Sequence, residues 1–212
     1  MKIPNYDTND DKSSNFVQKN KDMPSDIFRM LLCSPSGGGK TNLLIHMLLN
    51  LLYYDKIYLF SKNLDQSKYQ NLIKFFEPIS KEAGYNIIET SNDEIIPVSE
   101  LNNDNQKIVI FDDYVTEKNQ NKIIDFFIQG RHRNCSVIYL SQSYYKTPKD
   151  IRLNCSHFCI YEFPSNNEKV MICRENNIPK DKYEKAVSAD KYSFLYIDKP
   201  KKRFMRNINE KI

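Results

Sequence analysis

Apolar residues in this chain gather into short blocks, separated by longer stretches in which they recur every third or fourth position. That rhythm predicts buried strands alternating with amphipathic helices. Phe28 to Cys33 reads as the first buried strand, and Thr41 to Tyr54 as a leucine-rich helix in which Asn42, His46 and Asn50 form one narrow polar stripe. His46 is thereby a surface residue rather than a metal ligand. Lys56 to Phe60 is a second strand, followed by a helix from about Gln66 that Pro78 should interrupt and Gly84 should close. Ile87 and Ile88 mark a short strand, and Asn102 to Asn105 a turn.

Lys107 to Asp113 (KIVIFDD) predicts a buried strand with two carboxylates at its tip. Thr116 is placed to cap the next helix, whose apolar face is Ile123, Ile124, Phe127 and Ile128 and whose end is Gly130. Arg131-His132-Arg133 then leads into the strand Ser136 to Leu140, which ends in Ser141-Gln142-Ser143. Tyr144 to Pro148 is a loop, Asp150 to Asn154 a short segment open to helix, and Phe158 to Phe163 a further strand. Two helices, about 166 to 175 and 180 to 188, precede a hairpin from Lys191 to Ile197 that returns through Lys199-Pro200-Lys201. The alternation describes an α/β domain with a mainly parallel sheet, without internal repeats.

Composition refines that picture. With 212 residues the chain fits one domain, and 40% hydrophobic and 12% aromatic residues supply a core. The first 25 residues or so are polar and aperiodic, which predicts disorder. The domain itself then runs over 26–190, with a hairpin and basic tail at 191–212. Five cysteines at irregular spacing fit neither a disulfide framework nor a zinc site, so a reducing intracellular compartment is expected. No signal peptide is apparent, and Leu43 to Tyr54 is too short to cross a bilayer, so no membrane span is expected. The net charge of +4 is local: from residue 199 onward stand six cations and one acid. Such a run is either a solvated tail or a nucleic-acid contact.

The candidate chemistry starts at Ser34-Pro35-Ser36-Gly37-Gly38-Gly39-Lys40-Thr41, which holds three of the five glycines. Glycines placed between a strand and a helix, followed by Lys and Thr, meet the needs of a phosphate cradle: backbone N–H groups surround the phosphates, Lys40 reaches the outer ones, and the Thr41 hydroxyl ligates Mg²⁺. Ser34 stands where the usual pattern has its first glycine. A flexible linker would have neither the strand before it nor the helix after it. Asp112 and Asp113 come at a strand tip, where α/β sheets bind ligands. There Asp112 can hold Mg²⁺ through water and Asp113 can activate water, while capping or loop aspartates are the plainer alternative. Gln142, at another strand tip, can sense the γ-phosphate. Arg131 and Arg133 are cations at a helix end, which also suits simple pairing with the helix dipole.

The segments SPSGGGKTNLL, IVIFDD, GRHRNCSVIYLSQSYYK and IRLNCSHFCIYEF, spanning about residues 27 to 165, resemble the genome-packaging ATPases of large DNA viruses of the poxvirus type. Those enzymes have relatives in virophages and polinton-like elements, within the FtsK/HerA division of P-loop ATPases. The phosphate loop is generic, whereas the strand ending in SQS after an Arg-rich turn is the more discriminating part. The resemblance implies a RecA-like P-loop NTPase fold, with a mainly parallel central sheet flanked by helices and the Gln142 strand between the two motif strands. It also implies an ATP- and Mg²⁺-dependent translocase, assembled as a pentameric or hexameric ring around double-stranded DNA, acting with a capsid or portal-vertex protein at the assembly site in the host cytoplasm or in the virion. By position, Ser34 to Thr41 bind nucleotide, Thr41 and Asp112 serve Mg²⁺, Asp113 is the catalytic acid and Gln142 the sensor. Arg131 or Arg133 is then the finger reaching a neighbouring subunit, with Arg152 in reserve. Asp113 is one methylene shorter than the Glu common in the wider superfamily. Competing readings are a nucleotide or nucleoside kinase and a nucleotide-dependent interaction module. Against the kinase stands the carboxylate pair, which suits activation of water.

Overall fold

The apolar blocks form strands buried on both faces of one sheet. A computed structural model describes residues 20–92, 94–117 and 119–212. The parallel strands are β1 (Arg29–Cys33), β2 (Lys56–Ser61), β3 (Ile88–Ser91), β4 (Lys107–Asp112), β5 (Cys135–Ser141) and β6 (His157–Tyr161). β4 and β5 are buried at every position, which is why they read as continuous apolar runs. Three antiparallel strands, β7 (Phe194–Asp198), β8 (Arg203–Arg206) and β9 (Glu210–Lys211), extend the sheet beyond β6. The order is β3-β2-β4-β5-β1-β6-β7-β8-β9. β5 thus lies between the two motif strands, β1 and β4, as the resemblance implies.

Period-two alternation sends neighbouring side chains to opposite faces and splits the core in two. Met30 and Leu32 face one layer with α1 (Lys40–His46) and α2 (Ser67–Ala83). Leu31 and Cys33 face the other with α3 (Asn121–Gln129), α4 (Lys149–Asn154), α5 (Asn166–Asn176) and α6 (Lys180–Val187). All five cysteines are free.

Several local expectations are corrected. The first helix begins at Lys40 and passes into a π-helical turn, Met47–Leu51, so it stops short of Tyr54. Pro78 does not interrupt α2: Pro78 and Lys74 are exposed, so the carbonyl deprived of an N–H partner faces water. Gly84 closes that helix with φ 78°. Gln120, not Thr116, precedes α3, and Gly130 has helical dihedrals; the chain turns at Asn134, φ 56°, after the 3-10 turn Gly130–Arg133. The stretch beyond residue 191 is no free tail, since it supplies β7, β8 and β9. Residues 1–19 of the polar leader lie outside the described residues, whereas Met23 is fully buried against the core. Among the described residues, no helix is long and apolar enough to cross a membrane.

Candidate nucleotide site

Parallel strands bring their C-terminal ends to one edge of the sheet, and there the predicted groups of β1, β4 and β5 meet. The phosphate loop leaves β1 at Ser34, whose N–H donates to the Ser141 carbonyl at 3.1 Å and ties the loop to the end of β5. The Ser34 hydroxyl donates to the Pro35 carbonyl at 3.0 Å, and Gly38 N–H donates to the same carbonyl at 3.1 Å. Gly37 and Gly39 have φ of 74° and 99°, values that demand glycine. Gly38 is required for space instead, because a Cβ there would lie 2.8 Å from the Ser34 hydroxyl oxygen. Ser34, which stands at the first glycine of the usual pattern, thus fills the space beside Gly38. Lys40 opens α1 and is largely buried, and Thr41 follows it.

Asp112 ends β4 with 2% of its surface exposed. The Tyr69 hydroxyl, fully buried on α2, donates to Asp112 Oδ2 at 2.5 Å. Asp112 Oδ1 is buried without a hydrogen-bond partner. Burial raises the Asp112 pKa to about 6 against the opposing pull of Tyr69; the Asp113 charge raises it and Lys40 lowers it. Asp113 takes a left-handed backbone, φ 64°, which turns its carboxylate out of the strand. Its Oδ2 accepts from Asn63 Nδ2 at 2.8 Å and its Oδ1 from Gln142 Nε2 at 3.2 Å. These groups border a cleft of about 570 Å³ that Lys62 and Lys146 also line. Lys62 pairs with Glu117 at 3.2 Å.

The structure therefore brings Ser34 to Thr41, Asp112, Asp113 and Gln142 to one edge. Arg131 and Arg133 stand elsewhere, on the turn before β5, at the opposite end of a seven-residue strand. At about 3.3 Å per residue that is roughly 20 Å from Gln142 in the same chain. Arg152 is removed as a reserve finger. It is buried, paired with Glu175 at 2.9 Å, and donates to the carbonyls of Tyr144, Tyr145 and Thr147, which braces the loop after β5. Residue patterns did not point to Tyr69, Asn63, Lys62 or Lys146. Tyr69 looks like one more apolar position of α2, and only Asn63, two residues after a strand tip, carried a usable hint.

Comparison with known proteins adds to this geometry. Residues 14–191 match the family described as Poxvirus A32 protein. A monkeypox virus DNA packaging protein is 34% identical over 155 residues, covering 68% of this chain and 51% of that protein. Its vaccinia virus (strain Copenhagen) counterpart is 32% identical over 154 residues, covering 68% and 57%. The chain thus spans little more than half the length of these relatives. Among solved structures, the DNA-packaging ATPase B204 of Sulfolobus turreted icosahedral virus superposes with a TM-score of 0.62 at 15% identity, over 84% of this chain and 96% of B204. B204 of Sulfolobus turreted icosahedral virus 2, in complex with ATP-gammaS, gives 0.60 at 15%. The shared fold is a mainly parallel sheet flanked by helices.

Proposed function

Since this chain belongs to the poxvirus A32 protein family, we propose that it is the ATPase of a viral genome-packaging motor, driving double-stranded DNA into a capsid by hydrolysing ATP to ADP and phosphate. The observation that carries this reading is the alignment of Asp112, Asp113 and Gln142 on adjacent strand ends beside the phosphate loop. Curated relatives named as DNA packaging proteins and solved packaging NTPases of the same fold support it.

In this reading the loop N–H groups and Lys40 bind the ATP phosphates. The residues also fit Mg²⁺: Asp112 has one buried oxygen without a partner, and the other is held by the Tyr69 hydroxyl. When bound, the ion neutralises charge on the β- and γ-phosphates. Asp113 orients the attacking water and takes its proton. Each carboxylate oxygen has two lone pairs, so Asn63 and Gln142 can hold Asp113 while it still accepts from water. Gln142 thereby links Asp113 to the γ-phosphate side.

We assign Arg131 or Arg133 as a finger acting on the neighbouring subunit of a pentameric or hexameric ring, because within one chain both lie about 20 Å from Gln142, beyond the reach of a side chain. A capsid or portal-vertex protein is the expected docking partner, and the intracellular assembly site the expected location. DNA contact by the basic segment rests on exposed Lys201, Lys202 and Lys211, since Arg203 is paired with Asp198 at 2.8 Å and Arg206 with Glu210 at 3.3 Å.

Phosphate release with and without double-stranded DNA tests the proposal. DNA should stimulate turnover. Lys40→Ala should abolish nucleotide binding, and Asp113→Asn should keep binding but suppress hydrolysis. Mixing Lys40→Ala with an Arg131→Ala/Arg133→Ala variant should restore activity in mixed rings. Parental turnover in Asp113→Asn would remove the water-activating role, and stimulation by a nucleoside acceptor instead of DNA would make the protein a kinase.

A further inference from the structure

We propose that Tyr192 is the stacking platform for the nucleobase of the bound nucleoside triphosphate. The inference rests on the phosphate-loop reading above. It starts from where Tyr192 sits: a Cβ built on Gly39 would meet its ring at 3.2 Å and that of Tyr161 at 3.9 Å. The last glycine of the loop therefore lies directly under an aromatic edge contributed from more than 150 residues away in sequence. Yet Tyr192 is 54% exposed as a residue, so it is not there to complete the core.

Direction along the loop supplies the second step. The groups suited to the γ-phosphate, Asp113 and Gln142, stand at the ends of β4 and β5, on one side of β1. Tyr161 ends β6 and Tyr192 precedes β7, both on the other side of β1. A triphosphate laid along the loop with its terminal phosphate toward Asp113 leads its nucleoside toward β6 and β7. That is where the exposed ring waits.

The platform is also held in place. Tyr192 N–H donates to Asp190 Oδ1 at 2.9 Å, and Ser193 N–H donates to the Asp190 carbonyl at 3.1 Å, which fixes the turn between α6 and β7. Beneath it Tyr161 packs against Phe194 with ring centroids 5.2 Å apart. The Lys191 ammonium stands over the Tyr192 ring, 5.3 Å from its centroid, and so occupies one of its two faces; the base is assigned to the other. Stacking uses a π-face that every base possesses, so this contact should favour nucleoside triphosphates over bare polyphosphate with little preference among bases.

Binding of ATP, GTP and inorganic tripolyphosphate to the intact chain separates the possibilities. Tyr192→Ala should weaken ATP and GTP alike by about tenfold, the order expected for one base–aromatic stack, and leave tripolyphosphate affinity unchanged. Tyr192→Phe, which keeps the ring, should behave as the parent. Unchanged ATP affinity in Tyr192→Ala overturns the proposal. An equal loss for ATP and tripolyphosphate also overturns it, because the ring would then only shape the loop. If the parent binds none of the three ligands, or Lys40→Ala binds all three as the parent does, the phosphate-loop reading itself fails, and the platform with it.

Discussion

Ser34 departs from the usual phosphate-loop pattern, and its contact with Gly38 predicts a specific dependence between the two positions. In Gly38→Ala the new methyl would lie 2.8 Å from Ser34 Oγ, 2.9 Å from Ser34 Cβ and 3.1 Å from the Pro35 carbonyl oxygen. Non-bonded heavy atoms prefer about 3.5–4.0 Å, so all three contacts are repulsive. The Ser34 side chain cannot swing aside freely, because it is fully buried and hydrogen-bonded to Pro35. Gly38 has no positive φ, so the backbone itself tolerates alanine and the cost is steric. Overpacking of this kind costs about 1–3 kcal/mol, or roughly 2–4 °C in Tm per kcal/mol for a chain of this size. Ser34→Gly alone should cost about 1 kcal/mol for the lost hydrogen bond, yet it deletes the atoms behind two of the three clashes. The double variant should therefore be more stable than the sum of the single variants by about 0.5–3 kcal/mol. Urea unfolding of all four proteins, with ATP titration on the same samples, measures both stability and loop competence. Strict additivity of the two substitutions would refute the steric account of Gly38.

Other consequences follow from buried polar groups. Tyr69→Phe removes the phenolic donor to Asp112, a hydrogen bond to a charged group worth about 1.5–3 kcal/mol, so the urea midpoint at pH 7.5 should fall; an unchanged midpoint would mean that this bond contributes nothing to folding. Arg152→Ala strips half-buried Glu175 of its ion-pair partner and three carbonyls of their donor. It should lose about 3–5 kcal/mol, whereas a variant of parental stability that had lost only turnover would restore Arg152 as a finger. His157 is buried beside Asp198, Tyr196 and Phe28, and desolvation pushes its pKa below the usual 6.5, although Asp198 opposes this and Lys201 and Arg203 favour it. Asp198 is already paired with Arg203, so the imidazole stays neutral in the fold. The unfolded chain then binds the extra proton first, and stability should decline as pH falls from about 6.5 toward the lowered folded value. His157→Gln should flatten that decline in urea midpoints taken between pH 7.5 and 5, and an identical slope would exclude His157 as its source.

The sequence alone determined the features whose causes are local. Gly37 and Gly39 hold dihedrals that other residues avoid, so a phosphate loop was legible wherever the rest of the chain went. Buried strands need unbroken apolar runs, which made β1, β4 and β5 visible together with the acids at the tip of β4. Relations between distant segments were decided only by the tertiary structure, because sheet order and register depend on how whole surfaces are buried. Tyr69 meets Asp112 across 43 residues and Asn63 meets Asp113 across 50, and neither pairing has a period or spacing to betray it. Pro78 survives inside α2 because its turn faces water. The cations after residue 198 resemble a loose tail in sequence, yet β8 and β9 find backbone partners beyond β7, and ion pairs with Asp198 and Glu210 take up two of the charges. Arg152, one more surface cation by composition, is held inside because Glu175 and three carbonyls together compensate for its removal from water.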